Sequence, residues 1–350
     1  MKLFTVGPVE MYPETLEVAG RQLPYFRTQE FSNTMFENEE LLKKAVYAGK
    51  EDKVAFLTTS GTGAMEGAVI NCFTSEDRVI VINGGSFGKR FCEICERHSI
   101  GFDSVDLKFG EVLTRDRLPA DASSYTALLV NIDETSTGQL YDIKMLSQYC
   151  SKNGLYFVVD AISSFGADEI RFTDHKIDAL IIGSQKALAL SPGIAAIVLS
   201  EKIIRERIEK ILAPSVYLDL KDHLKNMERG QTPFTPAVGI LLELNQRLKK
   251  IDDEGIENTI AQTAELAKYF RERAKRIGII IPEYPLSNAL TPIVFGGGAK
   301  KVFETLKDER GIMLTPSGGE LADKLLRVGH LGNLSEADYD ELLAELKTLV

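Results

Sequence analysis

Between residues 54 and 200 short unbroken apolar runs alternate with stretches whose apolar positions recur every three or four residues. The runs are VAFL (54–57), VIVI (79–82), ALLVNI (127–132), LYFVVD (155–160), DALIIG (178–183) and AAIVLS (195–200), and the helical patterns between them cover 62–74, 86–98 and 142–153. A run without polar alternation fits a strand covered on both faces, and strands alternating with helices predict an α/β domain with a mostly parallel sheet flanked by helices. Ligands of such sheets bind at the C-terminal strand ends. From 200 to 277 the pattern is mainly helical, with two long helices over Val238–Ile251 and Ile256–Ile277 broken at Asp252–Gly255. Short strands at 278–281, 291–295 and 325–328 and helices near 299–310 and 335–349 then predict a smaller α+β part. We divide the chain into a large domain with the N-terminal segment, 1–250, and a small C-terminal α+β domain, 251–350.

Length agrees with two domains, since 350 residues exceed the roughly 100–200 of an ordinary one. With 44% hydrophobic and 26% charged residues, disordered and fibrous classes are excluded. A net charge of −10 disfavours non-specific nucleic-acid binding. No apolar stretch reaches the roughly 18–20 residues of a membrane span, and the opening MKLFTVGPVEMYPET lacks a signal-peptide run. A cytoplasmic protein is expected. Cys92 and Cys95 form C-E-I-C in mid-helix with no second pair, which reads as packing rather than a metal or redox site.

Four segments can carry chemistry. T-T-S-G-T-G-A-M-E-G (58–67) joins the strand VAFL to a helix, and small residues at such a turn let backbone N–H groups approach a phosphate. A dinucleotide fingerprint would need an acidic residue at the end of the next strand, where this chain has Asn83-Gly84-Gly85. Asp160 ends a buried run, where a carboxylate needs a cation or donors: a protonated heterocyclic nitrogen, a metal or a following N-terminal turn. Lys186 is the only charge between Asp178 and Glu201, and desolvation favours its nucleophilic neutral amine. Arg327, in the apolar strand L-L-R-V-G, offers a planar fork to a carboxylate. The four histidines are scattered, so a His triad or His-rich metal site has no support, and none is expected.

Taken in order, these segments resemble the fold-type I pyridoxal-phosphate enzymes, and among them the class V aminotransferases of the alanine–glyoxylate, serine–glyoxylate and 2-aminoethylphosphonate–pyruvate group. The resemblance runs from Val6-Gly7-Pro8, through Phe26-Arg27 and Phe31, to Arg327-Val328-Gly329. It implies that Ser60, Gly61 and Thr62 form the phosphate loop of pyridoxal 5'-phosphate and that Phe87 stacks on its ring. Thr135, with Glu134 beside it, would lie near the phenolic oxygen, Asp160 against the ring nitrogen and Ile162 under the other ring face. Gln185 would touch the cofactor, and Lys186 would form the Schiff base. Thr235 would reach the phosphate of a neighbouring subunit, which implies a homodimer with shared active sites. Arg327 would bind the substrate carboxylate, with Gly7 closing the same pocket.

The implied reaction is transamination, in which Lys186 moves the proton of a small amino donor such as alanine or serine and the amino group passes to glyoxylate or pyruvate. Signals within the group disagree: V-D-A-I-S-S-F-G-A resembles the aminoethylphosphonate branch, Gln185-Lys186 the glyoxylate branch. Ile132 and Phe26 stand where the family often has histidine. A cysteine desulfurase would need a cysteine after the lysine, and none follows Cys150. A non-catalytic module on the same fold would be expected to have lost at least one of the four features.

Overall fold

Consecutive residues of the central strands point to opposite faces, and both faces are covered. Val79, Val81, Leu129, Val158 and Ile181 belong to one buried cluster, while Ile80, Ile82, Val130, Val159 and Ile182 belong to the other. That is why the runs show no polar alternation. The computed structural model describes residues 1–349. Seven strands form the main sheet: β1 (Lys53–Leu57), β2 (Arg78–Asn83), β3 (Gly101–Asp106), β4 (Ala127–Asn131), β5 (Tyr156–Asp160), β6 (Ala179–Gly183) and β7 (Ala195–Leu199). Their order is β1-β7-β6-β5-β4-β2-β3, parallel except for β7, which runs antiparallel to both neighbours. Helices Gly61–Cys72 and Ser86–Arg97 cover one face; Gln29–Ala45, Ile143–Asn153 and Val238–Glu254 cover the other. The α/β class expected from the pattern is the class observed.

Three elements differ from the apolar pattern. Strand β3, GFDSVD, buries only Val105 fully, as an edge strand can, so it has no apolar run to betray it. Helix Gln29–Ala45 was hidden among polar residues, with Phe31, Met35 and Leu42 turned to the core and a Thr28 side-chain cap on Phe31 N. The strand expected at 278–281 is reduced to one bridge, Ile280 to Val294, because Gly278 takes φ +87° and Pro282 follows.

Helix Val238–Glu254 ends at Gly255 (φ +86°), and Ile256–Arg276 leads into a separate core. There Leu290–Val294, Leu325–Gly329 and Thr315–Pro316 form an antiparallel sheet with Leu325–Gly329 in the centre. The strand carrying Arg327 is therefore held on both edges. Lys2–Leu3 pairs with Ile312–Met313, and Phe4 packs on Tyr339 with ring centroids 5.4 Å apart. The first residues, grouped above with the large domain, thus join this smaller core. Among the described residues no helix is long and apolar enough to cross a membrane.

Gly329 N donates to Phe4 O at 2.7 Å, and a Cβ on Gly329 would stand 2.1 Å from the Thr5 carbonyl oxygen. Gly329→Ala must push the N-terminal segment off this strand. We expect a loss of about 1–3 kcal/mol, read as a lowered denaturant midpoint, and a midpoint equal to wild type would contradict the docking.

Candidate active site

The C-terminal ends of β1, β2, β5 and β6 deliver the site. Asp160 is the last residue of β5 and is 6% exposed, with one donor, Ile162 N, at 2.8 Å. Burial pushes its carboxyl up to about 6; the Ile162 N–H and the charges of Lys186 and Arg90 oppose the shift, and Glu134 adds to it. A buried carboxyl with a single donor is poised for a cationic partner. Lys186 follows β6 in a turn and is 7% exposed. Burial brings its amine down to about 8, with Arg327 adding to the fall and Asp133 and Asp160 resisting it. Gly7 (φ +136°) packs on this side chain, since a Cβ there would stand 2.7 Å from Lys186 Cδ. The N-terminal segment thus forms a wall over the lysine.

Two helix N-termini point to the same strand ends, and they are used differently. Helix Ser86–Arg97 has its first amides filled from within: Glu134, fully buried, accepts from Phe87 N (3.3 Å) and Gly88 N (3.0 Å), as well as from Asn131 Nδ2 (3.0 Å). Helix Gly61–Cys72 has no side-chain cap; the Ser60 and Thr62 side chains are exposed, and Arg90 Nη1 donates to Thr62 Oγ1 at 3.0 Å. An uncapped N-terminus with two hydroxyls and a guanidinium beside it suits an anion. Gly61 is needed for close approach, because its Cβ would stand 2.1 Å from Ile162 Cδ1. Half-buried Phe87 lies under the Arg90 guanidinium, 5.0 Å from ring centre to Cζ.

Arg327 is 9% exposed and donates from Nη1 to Thr135 O (2.8 Å) and from Nη2 to Pro316 O (2.7 Å), while Nε has no partner. Burial brings its guanidinium down to about 10, against the pull of Glu134 and Asp133. Thr135 Oγ1 shares a 2.8 Å hydrogen bond with Ser163 Oγ. Gln185 is half-buried beside Gly183. The structure thus gathers Lys186, Asp160, Ile162, Gly7, Thr135 and Arg327, with the Ser60–Thr62 turn and Phe87 at the rim. Thr235 stands apart: it is exposed and makes no hydrogen bond among the described residues. Its loop is anchored by Arg27, which donates to Gln231 Oε1, Thr232 O and Pro233 O, and by Ala237 N on Thr58 Oγ1.

Sequence reasoning passed over Arg90 and Asp133. Arg90 lies three residues after Phe87, one helical turn further along the helix Ser86–Arg97, in a polar stretch that gives it no contrast. Asp133 adjoins Glu134 at the end of a buried strand, and two neighbouring acids there were a signal. The four cysteines are free, and burial raises each thiol, Cys92 to about 11. No group of three or more His, Cys, Asp or Glu among the described residues could hold a metal.

Comparison with known proteins gives a family model, aminotransferase class-V, that matches residues 12–332. An uncharacterized aminotransferase of Methanocaldococcus jannaschii is 32% identical, over 98% of this chain and 90% of its own length. An L-aspartate–glyoxylate aminotransferase of Paracoccus denitrificans is 28% identical over 96% of this chain and 87% of its own. The crystal structure of an alanine–glyoxylate aminotransferase from Nostoc sp. superposes with a TM-score of 0.92 at 26% identity, covering 99% of this chain and 94% of that one.

The raised Asp160 carboxyl gives a signed prediction for the chain without ligand. Folded, it keeps its proton to about pH 6; unfolded, it gives it up near the ordinary 3.8. Its stabilising contribution is therefore complete below about pH 4 and lost as pH rises through 6, on the order of 2–3 kcal/mol. Asp160→Asn should abolish that loss, so the variant's advantage in denaturant midpoint should grow from pH 4 to pH 8. A constant difference would contradict the burial of this charge.

Proposed function

The chain belongs to the class-V aminotransferase family and is a pyridoxal-phosphate-dependent transaminase, and from that footing we propose that it moves the amino group of a small amino acid to glyoxylate or pyruvate. The observation that carries this reading is Arg327: a buried guanidinium with a free Nε in the same enclosed cluster as Lys186. A planar donor fork there suits the carboxylate that donor and acceptor share. Gly7 against Lys186 leaves little room above the amine, which favours a small substrate. Glyoxylate, named in both characterized relatives above, is the acceptor we favour, and their donors differ.

The residues present fit the cofactor. Ser60, Gly61 and Thr62 would hold its phosphate at the uncapped helix, Asp160 its ring nitrogen, and Phe87 and Ile162 its faces. Thr135 and Gln185 would contact its rim, and Lys186 would form the covalent link as a Schiff base. Bound there, pyridoxal phosphate supplies the electron sink that acidifies the α-C–H bond of an amino acid. This chain's residues do the rest. Arg327 fixes the carboxylate and so orients the α-carbon, Gly7 and the interdomain walls exclude water, and Lys186 Nζ takes the α-proton and returns it. An amine whose proton affinity lies near neutral pH is matched to both directions.

The exposed Thr235 lies amid apolar surface that one chain leaves uncovered. Tyr25 and Leu23 are exposed, Leu23 lies against Gly239, and exposed Phe234 stacks on Tyr217 at 5.3 Å. A second copy covering this surface would bring Thr235 to the partner's phosphate loop, as in a homodimer with shared sites. The buried and half-buried thiols suit a reducing compartment such as the cytoplasm.

Lys186→Ala should lose turnover and the ability to retain the cofactor covalently after borohydride reduction; full turnover would sink the assignment. Losing the Arg327 contacts should cost about 3 kcal/mol, roughly 100-fold in kcat/KM. Arg327→Ala should show this for alanine, serine or aspartate with glyoxylate. 2-Aminoethylphosphonate, which has no carboxylate, should be spared as a donor, and faster turnover with it than with any amino acid would favour that alternative. Sedimentation should give twice the 38.7 kDa chain mass, and a monomer at micromolar concentration would count against shared sites.

A further inference from the structure

Helices Gly61–Cys72 and Ser86–Arg97 pack against each other, and each starts at the C-terminal end of a strand of the main sheet. The first leaves the amides of Gly61, Thr62 and Gly63 without an intrahelical acceptor, since its first backbone bond runs from Ala64 N to Ser60 O at 3.2 Å. The second is seated hard on β2: a Cβ on Gly88 would stand 2.5 Å from Ile82 O and 2.7 Å from Asn83 Cα. Half-buried Arg90 therefore rises from a fixed base, and its guanidinium meets a side chain of each helix. Cζ lies 5.0 Å from the Phe87 ring centre, and Nη1 donates to Thr62 Oγ1 at 3.0 Å. Among the described residues no carboxylate pairs with this cation, because the acids of the two helix starts are engaged elsewhere. Glu66, one turn after Thr62, is paired with His98 Nε2 at 2.8 Å, and Glu134 accepts from Phe87 N, Gly88 N and Asn131 Nδ2.

A guanidinium only donates, whereas a threonine hydroxyl carries one hydrogen and two lone pairs. Thr62 Oγ1 accepts from Arg90 and makes no other hydrogen bond among the described residues, so its own hydrogen is left for an acceptor outside the chain. An oxygen that accepts from a cation is also the stronger donor. We propose that Arg90 is a positioning residue that makes the site selective for the phosphorylated form of the cofactor: it holds the Thr62 hydroxyl as a donor to the phosphate and brings an unpaired positive charge beside it. The proposal rests on the phosphate being held at Ser60–Thr62. The same guanidinium steadies the Phe87 ring by a cation–π contact, so one side chain ties the ring subsite to the phosphate subsite. The hydroxyl of Ser60 is not part of this link, since no hydrogen bond joins it to Arg90.

The test uses the full chain stripped of cofactor and measures, by equilibrium dialysis, its affinity for pyridoxal 5'-phosphate and for pyridoxal, which lacks only the phosphate. Wild type should prefer the phosphorylated form. Arg90→Met keeps the length of the side chain and removes its charge and donors; it should weaken pyridoxal phosphate by about tenfold to a hundredfold and leave pyridoxal within about twofold. Thr62→Val keeps the shape and removes the hydroxyl. It should weaken the phosphorylated form in the wild-type background and add less once Arg90 is replaced, so that the double variant loses less than the product of the two single losses. Arg90→Lys, which restores the charge without the fork, should recover part of the preference. A merely structural Arg90 would weaken both ligands alike, and that result, or unchanged binding of pyridoxal phosphate, overturns the proposal. Losses that multiply in the double variant overturn it as well. If Arg90→Met does not fold, Arg90→Lys takes its place with the same two ligands: a smaller loss confined to the phosphorylated form is expected, and an equal effect on both overturns the proposal. A wild-type chain without preference between the ligands would strike the phosphate turn itself and the proposal with it, whereas a preference that survives Arg90→Met strikes the proposal alone.

Discussion

The structure depends on keeping a lysine amine, an aspartate and an arginine out of water at the ends of parallel strands. None of the three side chains is satisfied by the chain alone: among the described residues Asp160 has one donor, Arg327 Nε has no acceptor, and Lys186 Nζ makes no hydrogen bond. Isolated charges so placed cost several kcal/mol each, and the surrounding fold must hold them. It does so with strands buried on both faces, whose alternating residues anchor β5 and β6 in two cores at once. Arg327 is carried by the middle strand of a second sheet and crosses to the large domain through the Thr135 carbonyl. The N-terminal strand pairs with the smaller core and then passes Gly7 over the lysine. Both cores thus contribute residues to one cluster, whose unsatisfied groups a ligand bearing a cation, a phosphate and a carboxylate would complete.

What could be read from the sequence follows from the same constraint. Unbroken apolar runs announced six of the seven main strands because burial on both faces forbids polar residues within them. The exception, β3, lies at the edge and can be GFDSVD. Asp160, Lys186 and Arg327 stood out as lone charges in apolar surroundings, a signal that exists only because burial is costly. Arg90 carried no such contrast: it lies in the polar stretch GKR, and its value comes from Thr62 and Phe87, one distant in sequence and one a helical turn away. Thr235 was singled out only through resemblance, since its exposed side chain makes no hydrogen bond among the described residues. The N-terminal strand could not be placed either, because its partner Ile312–Met313 is about 310 residues away and its own two residues carry no period.

A net charge of −10 argues against holding an anion, and the site resolves this locally. Of the two helix N-termini at the strand ends, one is neutralised by Glu134, an internal carboxylate that takes the place an anionic ligand could have had. The other has no side-chain cap, and it is the one beside Arg90. Where an anion such as a phosphate would bind is therefore decided less by the glycines of the turn than by which N-terminus the chain has already filled. The same bookkeeping of donors separates the adjacent acids. Glu134 receives amides and is held by them, whereas neither carboxyl oxygen of its neighbour Asp133 meets a backbone amide among the described residues.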